Sequence, residues 1–172
     1  MKKTKIISGL LYWSTKAITL LCLAVTLYAG GTLLFKTTAL HLTDKGQSFE
    51  IFFPFTQQPF LLGSYNTTYI VIEFLLIMCS YVVFFGLLSN VFRVFTQDKL
   101  FTQKAYNHLK QFYLANLFVP IPLLLLFLIS SPIKNEDIVI GAMHFLLGVF
   151  IFFMASIFKK GLELQDNQDL II

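Results

Sequence analysis

Two readily ionisable side chains, Glu73 and His144, fall inside long apolar runs. Such groups are costly to hold in hydrocarbon, so each marks a candidate ligand site, proton relay or counter-ion. Glu73 lies about four residues past the start of its run and His144 about six, roughly 6 to 9 Å in from the same side by helix rise. At matched depth a carboxylate and an imidazole can meet as a polar pair that binds a ligand or responds to protons. The plainer alternative is that Glu73 snorkels to the boundary while His144 hydrogen-bonds a carbonyl or a Tyr. A second polar feature is Asn116 followed by Pro120 and Pro122. Neither proline has an N–H, so the carbonyls of Asn116 and Phe118 lose their helical partners and the helix should kink. Asn116 beside freed carbonyls could coordinate an ion, or simply tie two helices together.

Other chemistry finds little footing. No Ser-His-Asp set, no Gly-rich phosphate loop and no metal-ligand spacing is present, so no catalytic residue, metal or cofactor is expected. His41 and His108 read as loop or interface residues without a partner pattern. Cys22 and Cys79 each sit in an apolar run with no CxxC spacing and read as packing residues. The formal charge of +4 does not point to nucleic acid, because the basic residues cluster at the ends of apolar runs and form no basic stripe.

The elements that must position these groups follow from composition. A chain of 172 residues that is 56% hydrophobic and 13% charged has more apolar surface than a soluble core can hide, and lipid is the solvent that fits. Four spans are expected, at about 17–35, 69–92, 112–129 and 138–158, in one all-α membrane domain over 1–172. Residues 6–15 extend the first helix along the interface, and the run is too long for a cleaved leader. Residues 37–68 form an outer loop, with Phe49 to Phe53 as a short strand or cap over the bundle mouth. Residues 93–111 form an inner loop in which Thr102 is a candidate N-cap, and 159–172 a short tail. Small residues at Gly141, Gly148 and Ala155, and at Thr19, Cys22, Thr26 and Gly30, make the first and fourth spans candidate neighbours. Asn66-Thr67-Thr68 matches a glycosylation acceptor that abuts the membrane and is expected to be unused.

The cytoplasmic elements carry a resemblance. Arg93-Val94-Phe95, Lys99-Leu100-Phe101-Thr102 and the tail from Phe158 through Lys159-Lys160-Gly161 to Asp169-Leu170 resemble the bacterial membrane family called domain of unknown function 2975. Gln168 and Ile171 depart from the tail pattern associated with that family. The resemblance implies four membrane helices, no established activity, and genes similar to accessory genes beside small helix-turn-helix regulators. It makes Arg93, Lys99, Phe101, Thr102, Asp169 and Leu170 candidate contacts for a cytoplasmic regulator. The expected protein is thus a non-enzymatic accessory or signalling protein of the bacterial inner membrane, surrounded by lipid and making no direct contact with nucleic acid. The other reading is a small permease or proton-responsive component built on Glu73, His144 and Asn116.

Orientation follows from charge. Ten Lys and Arg residues fall on the side of the two termini and the 93–111 loop, and three on the other, so both ends should be cytoplasmic. A reporter active only outside the cytoplasm should therefore be silent when fused after Ile172; an active fusion would contradict the topology.

Overall fold

The structure is a computed structural model that describes residues 2–64, 68–130 and 135–169. Five helices and one small sheet follow in the order α1 (Lys2–Phe35), β1 (Leu40–Thr43), β2 (Ser48–Phe52), β3 (Pro59–Ser64), α2 (Thr68–Val94), α3 (Gln103–Phe118), α4 (Pro120–Ser130) and α5 (Asn135–Asp169). Four helical stretches are long and apolar enough to cross a membrane, with α3 and the start of α4 making the third. Leu10, Trp13, Leu27, Leu146 and Phe153 are among the many large apolar side chains that face outward. A surface of that kind fits a multi-pass membrane protein.

Helix ends are set by local chemistry. α1 closes where Lys36 takes a left-handed conformation (φ 48°) and the Thr37 N–H returns to the Thr32 carbonyl at 3.3 Å, a Schellman-type stop without glycine. α2 ends in successive three-residue bonds, from Phe95 to Phe92, Thr96 to Arg93 and Gln97 to Val94. α3 opens on Thr102, whose hydroxyl accepts the Ala105 N–H at 3.1 Å. At Val119 the chain stays in the right-handed helical region and Val119 N–H still reaches Ala115 O at 2.9 Å. Pro120 cannot continue the ladder to Asn116 O, and it opens α4 at the first helical position, where a missing N–H costs least.

The sheet has the order β1-β2-β3, antiparallel throughout. Its β1–β2 turn carries Gly46 at φ 87°, a conformation glycine adopts without a Cβ penalty. β2 shows a clean period of two. Phe49 (1% exposed) and Ile51 (0%) are buried, while Ser48, Glu50 and Phe52 are only partly so. The buried pair packs on Ala29 and Leu33 of α1 and on Val71, Phe74 and Leu75 of α2. Tyr28 Oη donates to the Phe52 carbonyl at 2.6 Å and pins the sheet to α1. The cap expected around Phe49 is therefore a three-stranded sheet, of which only the central strand was anticipated.

A second core lies at the other end of the bundle. Val91 and Val94 of α2, Leu109 and Phe112 of α3, and Ile151, Ala155 and Phe158 of α5 are buried together. α1 packs along α2, and α5 packs along α3. This corrects the expected pairing of the first and fourth spans. The small residues do mark close contacts, but with other helices: a Cβ at Gly30 would meet Leu75, and one at Gly86 would meet Thr19. Thr19 and Thr26 return their hydroxyls to Thr15 O and Cys22 O of their own helix, so they bind no neighbour that way. Cys79 is exposed, not packed inside. The tail is corrected as well, since α5 runs on through residue 169 without a break.

One ion pair joins the start of α1 to the α2–α3 loop, where the Lys5 ammonium donates to the Asp98 carboxylate. That hydrogen bond, with the Lys5 charge, holds Asp98 below the usual carboxylate range. A lowered carboxylate contributes stability above its unfolded value, and loses it as pH falls through the folded one. The site is exposed, so the contribution is small. In an NMR titration Asp98 should ionise below an ordinary Asp, and Lys5→Met should return it to normal; an unchanged titration in the variant would show that the two ends do not meet.

Candidate functional site

Between the two cores the helices part. Around the Pro120 break between α3 and α4, a cavity of about 290 Å³ lies among α2, α3, α4 and α5. Its wall is mainly apolar, with Ile77, Phe84, Leu123 and Ile140 among the lining residues, and among the described residues none of the side chains that line it carries a fixed charge. Its polar lining is Ser80, Tyr81, Asn116 and His144.

Asn116 is the most enclosed of these, at 2% exposed. Its side-chain amide donates to the Phe112 carbonyl at 2.9 Å, one turn back in its own helix. That bond fixes the amide, so Asn116 Oδ1 points across the helix gap as an acceptor. His144 Nδ1 lies 2.8 Å from it. An acceptor oxygen requires a donor, so Nδ1 carries the hydrogen, and in the neutral imidazole Nε2 keeps a lone pair. The imidazole also meets the Phe84 ring edge-on, with centroids 5.5 Å apart.

The approach of α5 to α3 makes this bond possible. One turn beyond His144, Gly148 sits so close to α3 that a Cβ would come within 2.8 Å of the Leu117 side chain and 3.4 Å of Asn116 Cβ. Only glycine allows the helices this near without displacing Leu117. His144 thus reaches Asn116 because Gly148 has no side chain.

The structure brings together His144, Asn116 and Pro120, and leaves other sequence candidates elsewhere. Glu73 is half-buried on α2, has an interaction of its own and does not line the cavity. Pro122 is exposed on α4. Thr102 is engaged as the cap of α3. Phe101 lies over α5: its ring meets Phe158 edge-on at 5.3 Å, and a Cβ on Gly161 would come within 2.4 Å of it. Arg93 and Lys99 are exposed. Asp169 ends α5, while Leu170 lies outside the described residues, as do Asn66 and Thr67 of the glycosylation match.

Two features were missed in the sequence. His41 is not a bare loop residue but stacks on Phe52, centroids 4.3 Å apart. His108 is half-buried on α3 with both ring nitrogens shielded from water and the Gln111 side chain beside it. Neither carries a spacing signal, since both depend on contacts made across elements. Among the described residues no three His, Cys, Asp or Glu side chains gather as a metal site.

Removing the acceptor should be felt. Asn116→Leu strands the His144 Nδ1–H and should lower stability by about 1–2 kcal/mol in detergent unfolding; an unchanged midpoint would mean the pair carries no weight.

No curated protein and no solved structure matches the chain. Residues 58–172, from the end of the outer sheet through α2 to α5 and the tail, do match a family. The match takes in the cavity and the α2–α3 loop and covers about two thirds of the sequence, so the chain belongs to the family described as protein of unknown function (DUF2975).

Proposed function

We propose that this is a non-enzymatic accessory or signalling protein of the bacterial inner membrane, with both termini cytoplasmic, that contacts a cytoplasmic helix-turn-helix regulator through its inner loop and the end of α5. The observation that carries this reading is the continuity of α5. Its 35 residues extend about 52 Å at 1.5 Å each, against a hydrocarbon thickness of ~30 Å, so roughly two fifths of the helix projects beyond. The projecting part presents Lys159, Lys160, Glu163 and Leu164, the last 65% exposed. It is braced at its base by Phe101 against Phe158 and Gly161.

One rod therefore bears the cavity residue His144 at one level and an exposed mixed face at another. A shift of α5 at the cavity would be carried to the inner face, because an intact helix resists bending. The brace adds a second output, since a displaced Phe158 would move the 95–102 loop. A permease would need a polar path between the two sides; the cavity wall is apolar and Glu73 stands outside it, which gives that alternative less support.

The test is co-expression with a candidate helix-turn-helix regulator from the same genome, followed by gentle detergent extraction of the tagged membrane protein. The regulator should co-purify with the full chain, and truncation after Gly161 or Phe101→Ala should reduce its recovery at least severalfold. No association with the full chain would refute the reading.

A further inference from the structure

We infer that the cavity among α2, α3, α4 and α5 is a binding site for an uncharged, mainly apolar molecule bearing one hydroxyl or N–H donor, with His144 Nε2 as its acceptor. This goes beyond the regulator contact and does not depend on it.

Volume sets the size of the occupant. A dry cavity near 150 Å³ holds one benzene ring, so about 290 Å³ takes a body of about ten to twelve non-hydrogen atoms, such as two fused rings or the end of a longer chain. Position sets the route. Val83 and Ile140 line the cavity yet are about half exposed on the outer face of the bundle, so it opens sideways toward whatever surrounds the helices. Under the membrane reading that is lipid, and an apolar ligand enters from there.

Hydrogen-bond accounting sets the chemistry. Ser80 spends its hydrogen on the Ile77 carbonyl at 2.7 Å. The Asn116 amide donates to Phe112 O, and His144 Nδ1–H is spent on Asn116 Oδ1. What remains is chiefly acceptors: His144 Nε2, the Ser80 oxygen, and the Asn116 carbonyl that Pro120 leaves without its helical N–H. Among the described lining residues the donors left are the more exposed Tyr81 hydroxyl and the second Asn116 amide hydrogen, the latter on a residue only 2% exposed. A lining of acceptors without fixed charge selects a donor-bearing neutral molecule, and disfavours carboxylates and other anions.

The relay also makes Nε2 a directed acceptor. The Phe112 carbonyl holds the Asn116 amide, the amide holds the imidazole, and Phe84 packs its ring edge-on. A ligand donor therefore meets a preset lone pair, with little ordering left to do.

α-Naphthol matches this description, and its methyl ether has the same rings without the donor. Thermal unfolding of the purified full chain in detergent should show a saturable rise in Tm with α-naphthol, and an apparent affinity about fivefold or more weaker for the ether. His144→Phe should remove that preference and bring the two compounds together. Gly141→Leu, which builds into the cavity from a position where a Cβ meets only Leu124 at an ordinary 3.5 Å, should abolish the shift by both. Equal shifts for naphthol and ether in the unaltered protein would overturn the proposal even if His144→Phe does not fold. So would a naphthol shift that persists undiminished in Gly141→Leu, which would identify an effect on the micelle.

Discussion

The close approach of α5 to α3 at Gly148 is the interaction on which the rest of the molecule depends. It seats α5 against Leu117 and Asn116, brings His144 to 2.8 Å from Asn116 Oδ1, and aligns Ile151, Ala155 and Phe158 with Leu109 and Phe112 further along the same seam. The helices are held together by few wholly buried side chains, because most of the apolar surface faces outward. In lipid no hydrophobic force drives helix to helix, so close packing at small residues and a few interhelical hydrogen bonds must supply the association. Gly148 provides the first and the His144–Asn116 bond the second.

Against that seam the proline break divides the third span. α3 packs along α5, and beyond Val119 α4 meets α5 at Gly141, where a Cβ would lie 3.5 Å from Leu124. Two cores result, one under the sheet between α1 and α2 and one at the opposite end of α2, α3 and α5. The cavity is the space left where neither core reaches. Its polar groups all come from the α3–α5 seam and from Ser80 and Tyr81 of α2, which is why a mainly greasy chamber carries a single directed acceptor.

The helical framework was legible because hydrophobic run length alone reports it, and Thr102 and Pro120 carry local signals that do not depend on neighbours. Phe49 and Ile51 announced β2 through their apolar alternation. β1 and β3 did not stand out: Leu40 to Thr43 is four residues long, and Pro59 to Ser64 opens on proline and carries a glycine. The helical end of α5 was hidden because residues after Lys160 are polar, and Gly161 reads as a stop. In the fold that glycine sits mid-helix to admit the Phe101 ring. Partner choice was the least legible feature. Matching depths placed His144 opposite Glu73, yet depth says nothing of rotation about the helix axis. The partner actually reached, Asn116, lies 28 residues away on α3, whereas the small-residue stripes paired the helix of His144 with the first span.

The most direct measurement is the nitrogen-15 spectrum of His144 in the lipid-reconstituted protein, compared with that of Gly148→Val. The account predicts an imidazole with hydrogen on Nδ1, hydrogen-bonded, and a bare Nε2, and predicts that the variant, with α5 pushed off α3, loses the Nδ1 hydrogen bond. A hydrogen on Nε2 with Nδ1 bare, or a spectrum that Gly148→Val leaves unchanged, would contradict it.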